Sequence, residues 1–540
     1  MKNINEPEHA TALRSAVNSP KIRTIGLKEA VGFGVGDFYG GGQLVMVATY
    51  MSLFWTRFGG MGISAAQGLI GVGTILSAFA ALVFGILSDN LYRCRFGRRF
   101  GRRRPMLLIL SPLILTGVVL WLPHRPFALY GAAFIVWVTL AQLFQTSYNP
   151  LPGEMTQDFN GRTRLSTTRL FISTASSTVL PLACSALLSV FGESRPLAYE
   201  LFGITTTVLF SIAVLIAWHS TWELTPSQAG FGSNEDRRSK RRHAGPVVWI
   251  RRLVSVFRQY ASTLRIDVFR KHLAIYLLVQ ISMDVFGQTF VFYVIYDWNR
   301  TAAFASLLLG CSAISLPLMP LFGWLFTQIG PKRLYALNFM GCLSGLALLF
   351  GAWMAADRMP RGWWTVFAVV GAVVFFSFKS LCGFLPWAVF PFIADVDEMV
   401  TTRYRSATFS GVQAFFRQLG SGIAVMCVGA ILGATGFDAT RATQPVSATI
   451  GVGSVLLGWF AVSMIICWVI SAHLTLDRRT DRQILAEIAR LRSGGSKADV
   501  DPDTKRTVER LTGVPYEKCW NTGGVPAGAS GRGSALDWKA

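Results

Sequence analysis

The chain is short of charge, and within that charge it is short of acid. Asp, Glu, Lys and Arg make up only 15% of its 540 residues, and 29 acids stand against 51 bases for a net charge of +22. Soluble domains carry about 25% charged residues, so a soluble multidomain enzyme is a poor fit to this composition. Histidine occurs six times, never at metal-ligand spacing. The eight cysteines (Cys94, Cys184, Cys311, Cys342, Cys382, Cys427, Cys467 and Cys519) are scattered, with no CxxC or Cys/His pairing. Neither disulfides, a metal site nor a cofactor is expected from them. No G-x-S-x-G is present, and no catalytic residue is assigned. The first 20 residues hold no apolar h-region, so no cleavable signal peptide is expected and the first span would direct insertion.

What the chain has instead is hydrophobic length. It is 52% hydrophobic with mean hydropathy +0.43. Apolar runs of membrane-spanning length fill it from about residue 30 to 476. Twelve spans are expected, near 30–56, 65–88, 105–122, 127–149, 167–191, 199–221, 273–296, 302–328, 333–355, 363–392, 407–435 and 448–476. The basic residues gather in every second connector. GILSDNLYRCRFGRRFGRRR (85–104) alone holds seven arginines, whereas PHRP, GESRP and DWNRT hold one each. That alternation reads as topology, with both termini cytoplasmic and anionic lipid beside the loops, and not as nucleic-acid binding.

The connector 222–272 divides the spans six and six. Its start reads as a flexible linker, and RRLVSVFRQYASTLR within it as a basic amphipathic helix, either lid or plain linker. The organisation is therefore 1–29 cytoplasmic segment, 30–221 first half, 222–272 basic linker, 273–476 second half and 477–540 tail. DRRTDRQILAEIARLR gives the tail a short helix, and its Gly/Ser/Ala-rich end reads as disordered. Two weak motifs repeat: Gly85-ILS-Asp89 and Gly323-WLFTQIGPKR stand 238 residues apart, and Arg162-T-Arg164 and Arg403-Y-Arg405 stand 241 apart. Such an internal repeat implies two related six-helix halves with binding near mid-membrane.

Ionisable residues inside apolar spans are costly and mark candidate sites. Asp37 lies in the first span, Asp284 in the seventh and Lys379 in the tenth. The acids are candidates for cation coupling and Lys379 for substrate contact; a Lys–Asp pair bracing helices is the structural alternative. Gln43 joins Asp37 as a candidate on the first span. GFGVGDFYGGG (32–42) opens a transmembrane run, so a nucleotide loop is not expected there. Its glycines serve either close helix packing or a broken, cavity-lining helix. Trp55, Trp121, Trp298, Trp353, Trp363 and Trp364 fall near span ends and read as an interfacial belt. Tyr148 and Trp387 sit beside Pro-broken polar stretches, where they either stack on sugar faces or simply pack. Asp89, Arg98, Arg99, Glu154, Asp158, Arg162, Arg169, Asp395 and Arg417 are assigned to a cytoplasmic gate. For Arg169 and Arg417, pairing with Glu154, Asp158 or Asp395 competes with direct substrate contact.

Four blocks carry a family resemblance: GFGVGDF…YMSLFWT, GILSDN…FGRRRP, PGEMTQDFNGRTRLSTTRLF and ADVDE…GVQAFFRQLGSG. In order and spacing they resemble the glycoside–pentoside–hexuronide:cation symporters, the major-facilitator group that includes the melibiose permease. The resemblance covers about residues 26–476. It implies an all-α polytopic membrane protein of the major facilitator fold, with twelve transmembrane helices in two pseudo-symmetric six-helix halves. It also implies cation-coupled uptake of a sugar, glycoside or oligosaccharide by alternating access, not an enzyme. The family's two cation-site acids on span two fall here on Ser77 and Ala81, which carry no charge. Proton coupling through Asp37 or Asp284, or simple facilitation, is therefore expected in place of sodium coupling. Family sugar-contact positions on span four fall on Gln145 and Asn149, a functional lysine position on span eleven falls on Gln418, and Arg169 keeps its family type. A monomer of the inner membrane is expected. The competing readings are a carrier of lysolipid or another amphiphile on the same fold, and a facilitator or sensor without ion coupling.

Overall fold

In the first span, Leu27–Gly34 (α1) and Gly36–Val45 (α2) meet at Val35, a π-helical stretch follows at Met46–Met51, and Ser52–Arg57 (α3) closes the run. Helix therefore covers the expected span, but in pieces. The computed structural model describes residues 25–90, 99–101, 103–156, 159–223, 257–258, 260–356, 358–402, 406–441 and 443–520.

Long helices follow: Ile63–Asn90 (α4), Arg104–Ile114 (α5) with a 3-10 extension to Trp121, Phe127–Tyr148 (α6), the short Leu151–Met155 (α7), Phe159–Phe191 (α8) and Leu197–Ser220 (α9). Then come Asp267–Phe292 (α10), Ala302–Gly310 (α11), Ser315–Met354 (α12), Arg361–Thr401 (α13), Ser406–Ala434 (α14), Val446–Gly453 (α15) and Trp459–Ala472 (α16). Pro105 sits at the start of α5, where its missing N–H costs no hydrogen bond. Among the described residues, ten helical runs are long and apolar enough to cross a membrane. One of them, Ala302–Met354, holds the expected eighth and ninth spans together. It turns at Gly330 (φ 75°, ψ 167°), followed by Pro331. Only glycine takes that backbone conformation without strain.

The chain separates into two compact units. The first comprises Met1–Arg242, Phe290–Leu316 and Val425–Ala448. It thus joins the first half to the ends of spans seven, eight and eleven that lie away from the basic connectors. Polar contacts secure this packing. The Glu193 carboxylate accepts from the N–H groups of Ala302 (2.9 Å) and Ala303 (2.7 Å) at the start of α11. Ser185 donates to Ala303 O at 2.8 Å, the Tyr50 hydroxyl to Ser306 Oγ at 3.0 Å, and Ser64 to Gly429 O at 2.9 Å.

The tryptophan belt expected at span ends needs correction. Trp55, Trp121, Trp298 and Trp364 are buried, and only Trp353 and Trp363 of the six are exposed. Two of the buried four are held by hydrogen bonds. Trp55 Nε1 donates to Leu120 O at 3.0 Å and Trp364 Nε1 to Ala352 O at 2.7 Å, so these indoles tie one helix end to the next.

The second unit comprises His243–Thr289, Pro317–Ala424 and Thr449–Ala540. In the linker, residues 257–258 and 260–263 are helical, and Phe257 and Tyr260 pack against Phe415 of α14. The tail also departs from expectation. Its first helix, Arg478–Arg492 (α17), is capped by a reciprocal Asp477/Thr480 box. A second helix, Pro502–Thr512 (α18), begins on an Asp501 cap and ends at Gly513 in the left-handed region. Residues 493–520 are thus structured where disorder was expected. The segment 521–540 lies outside the described residues.

Candidate functional site

In each unit an acid–arginine pair links equivalent spans, the first with the fifth and the seventh with the eleventh. In the first, Arg169 Nε on α8 lies 3.1 Å from Asp37 Oδ2 on α2. Asp37 is only 3% exposed. A charge at such a depth is tolerable only when paired. Arg169 also lies over the Tyr148 ring, 5.2 Å from its centroid. That ring is sandwiched between Phe33 (4.5 Å, 17°) and Phe144 (4.7 Å, 20°). Its hydroxyl donates to Phe33 O at 2.5 Å.

The glycines of α2 make this arrangement possible. A methyl group at Gly40 would stand 2.2 Å from Asp37 Oδ1 and 3.1 Å from Gln145 Nε2. At Gly41 it would stand 2.4 Å from Ser173 Oγ of α8. Of the two readings of the glycine cluster, the close-packing one is seen here: α2 meets α8 through it, and the backbone at Val35 stays helical with its N–H on Val31 O at 2.9 Å. Gln145 approaches Asp37 across Gly40. Gln43 is buried, while Asn149 is exposed at the end of α6.

In the second unit, Arg417 Nη2 on α14 lies 3.2 Å from Asp284 Oδ1 on α10. The other carboxylate oxygen, Asp284 Oδ2, is buried and has no hydrogen-bond partner among the described residues. Trp387 stands edge-on to Tyr276 (5.9 Å, 84°) with its own side chain 53% exposed. Gln418, next to Arg417, is half-buried. Lys379 Nζ lies over the rings of Phe286 (5.7 Å) and Phe376 (5.6 Å). It makes no ion pair among the described residues, so the alternative of a Lys–Asp brace is not seen and both acids pair with arginines instead.

The gate pairings also differ from expectation. Arg169 and Arg417 reach Asp37 and Asp284, deeper in the spans, and not Glu154 or Asp395. Glu154 instead accepts from Arg103 Nε at 2.6 Å, and Arg103 Nη1 donates to Thr146 O at 3.1 Å. Arg162 donates to the carbonyls of Thr156 (2.8 Å) and Gly153 (3.3 Å). Arg99 lies over Phe100 at 5.3 Å, and Asp395 is half-buried near Asp481 and Glu398. Arg98, Asp158 and the side chain of Asp89 lie outside the described residues.

Sequence reading missed two groups. Arg103 is one of seven arginines in a single loop, and nothing in its spacing sets it apart. Asp297 ends a π-helical turn at Tyr293–Asp297, with both carboxylate oxygens buried and unpartnered among the described residues. Its position at the end of an apolar run was a usable signal. The span-two position Ser77 is fully buried, and its hydroxyl donates to Thr74 O at 2.7 Å within its own helix.

The comparisons agree with this architecture. The chain is similar to a glucuronide carrier protein homolog of Escherichia coli, 22% identical over 464 residues, with 81% of this chain and 91% of the relative covered. It is also similar to an isoprimeverose transporter of Lactiplantibacillus pentosus, 20% identical, with 77% and 81% covered. The structure resembles that of a D-xylose–proton symporter with TM-score 0.54 at 13% identity, covering 82% of this chain and 96% of the other. At that identity the likeness speaks for the fold alone. Residues 32–478 match the model of the family described as MFS/sugar transport protein. The chain therefore belongs to that family and is a multi-pass membrane transporter of the major facilitator fold.

Proposed function

We propose that this protein takes up a sugar or glycoside by alternating access and couples that uptake to protons. The half-satisfied Asp284–Arg417 pair carries the reading. One carboxylate oxygen is held by the guanidinium, and the other is buried with nothing to accept from among the described residues. Such an oxygen either binds a proton or receives a substrate hydroxyl, since a bare buried acceptor is costly. Asp37–Arg169, with Gln145 close by, supplies a second polar cluster, and the exposed face of Trp387 suits a sugar ring. Gln43, Asn149, Lys379 and Gln418 are assigned to the same substrate path, whereas Tyr148, stacked on Phe33 and Phe144 with its hydroxyl on Phe33 O, takes the packing role and not the sugar-stacking one. Uncharged Ser77 and Ala81 in α4 disfavour a sodium site there.

The relatives' names support a saccharide. They include a glucuronide carrier homolog, an isoprimeverose transporter and a putative sulfoquinovose importer. The protein is placed as a monomer in the cytoplasmic membrane with both termini inside, halves at 30–221 and 273–476, and its basic connectors at the cytoplasmic face. The gate is assigned to Glu154 with Arg103, to Arg162 and Asp395, and to Asp89, Arg98, Arg99 and Asp158. Uptake of radiolabelled isoprimeverose, a glucuronide, a sulfoquinovose glycoside and a neutral β-glycoside tests the substrate class in cells expressing the protein. At least one is expected to accumulate, and to stop accumulating in Asp37→Asn. Transfer of a labelled lysolipid with no saccharide uptake would reject the reading.

A further inference from the structure

Three sulfur atoms from three helices meet inside the second unit. Cys342 Sγ on α12 lies 3.6 Å from Cys382 Sγ on α13. Cys382 Sγ lies 4.0 Å from Met464 Sδ on α16. All three residues are buried. The approach of α12 to α13 depends on the glycines flanking Cys342. A methyl at Gly341 would stand 2.3 Å from the Phe378 ring, and one at Gly345 would stand 2.6 Å from Phe375 Cα. Small residues four apart let two membrane helices close to backbone contact, and here that contact brings the thiols together.

We propose that Cys342, Cys382 and Met464 form a binding site for one thiophilic monovalent cation, Cu+ or Ag+. Two thiolates and a thioether are soft ligands, and with no nitrogen or oxygen donor in the set they select such ions. With metal–sulfur bonds of roughly 2.3 Å, sulfurs around a trigonal centre stand about 4 Å apart, close to the Cys342–Cys382 and Cys382–Met464 separations of 3.6 and 4.0 Å. No redox change is involved. Two S–H bonds break, their protons leave to water, and two metal–thiolate bonds and one metal–thioether bond form. The resulting complex carries a single negative charge.

Neighbouring groups suit that charge. Lys379, one turn before Cys382 on α13, is within electrostatic reach of both thiols and has no ion-pair partner among the described residues. Asn338 Nδ2 donates to Cys382 Sγ at 2.9 Å, an outer hydrogen bond that orients this sulfur. Asn338 and Cys342 lie one turn apart on the same face of α12. A bound ion would tie spans nine, ten and twelve together.

The experiment titrates purified full-length protein with Cu+ held by a chromophoric chelator, under reducing conditions, and reads coordination by X-ray absorption. One Cu+ per chain bound through three sulfurs is expected. The volume-conserving Met464→Leu should leave two sulfurs and weaker binding. Cys342→Ser with Cys382→Ser should abolish the high-affinity site, while Cys184→Ser and Cys427→Ser leave it intact. Lys379→Gln should weaken binding roughly 10–100-fold, the usual effect of losing an outer-shell partner. Absence of high-affinity Cu+ binding by folded wild-type protein would overturn the proposal. So would binding that survives the double serine substitution, or coordination unchanged in Met464→Leu. Should the serine variant fail to fold, the Met464→Leu spectrum decides.

Discussion

Arg169 follows Asp37 by 132 residues and closes on it at 3.1 Å. Arg417 follows Asp284 by 133 and closes on it at 3.2 Å. The same contact between a first and a fifth helix has thus been kept in both halves, although the surrounding residues have diverged. The first pair is packed under an aromatic stack. The second leaves one carboxylate oxygen bare, and that asymmetry is the basis for assigning coupling to Asp284.

Removing one member of the first pair strands the other in a buried place. Asp37→Asn is expected to lower stability by about 3 kcal/mol or less, toward the low end for buried pairs because Arg169 keeps 22% side-chain exposure. Arg169→Gln should do the same, and the double substitution should recover part of the loss. Thermal unfolding of the four proteins in one detergent gives the cycle. Strict additivity would show that the contact contributes nothing.

Gly40 should be as sensitive as the acid it abuts. Gly40→Ala pushes a methyl against the Asp37 carboxylate and is expected to impair uptake as Asp37→Asn does. Gly68, in the second turn of α4, has open space beside it. Gly68→Ala should be neutral or gain up to about 1 kcal/mol of helix propensity. Equal effects at the two positions would contradict the packing argument.

Glu193 caps α11 with both oxygens, so Glu193→Ala should loosen the packing inside the first unit. Loss of a helix cap costs about 0.5–2 kcal/mol. Ser306, fully buried here, reports on it. In a Ser306→Cys background, Glu193→Ala is expected to speed labelling by a membrane-impermeant maleimide several-fold. Unchanged labelling would mean the cap does not hold this packing closed.

The tail should be pH-sensitive. Arg490 donates to both oxygens of Glu487 (2.9 and 2.7 Å), and the Tyr516 hydroxyl donates to the same carboxylate. These bonds hold Glu487 below the usual carboxylate range. Its contribution is therefore fully present above the unfolded value of about 4.3 and is lost as pH falls through the lower folded value. Burial pushes Asp481 the other way, a penalty that grows as pH rises through its ordinary range. Hydrogen exchange over 478–520 should show protection at pH 7 that falls on acidification below about pH 4. Glu487→Gln should lose part of the protection at pH 7. Asp481→Asn should gain some.

Much of this was legible in the sequence. Hydropathy located the long helices because a bilayer demands length and apolarity together. Asp37, Asp284 and Lys379 stood out because charge is rare in such runs. Their partners did not, since a contact across more than 130 residues leaves no local mark. Arg103 was hidden among identical neighbours. The tryptophans misled because a span end near water and a span end under another helix look the same in one dimension. Helix α18 was missed although Asp501-Pro502 and Gly513 mark its ends. Its apolar stripe is short, and it is held by packing on both α17 and α13.

The central claim is proton-coupled saccharide uptake through Asp284. Its most direct test is accumulation of a labelled glycoside in right-side-out membrane vesicles, with an inward proton gradient or an inward sodium gradient imposed separately. The account predicts that the proton gradient drives accumulation and the sodium gradient does not. It also predicts that Asp284→Asn still exchanges substrate across the membrane but no longer concentrates it. Sodium-driven accumulation, or full proton-driven accumulation in Asp284→Asn, would contradict it.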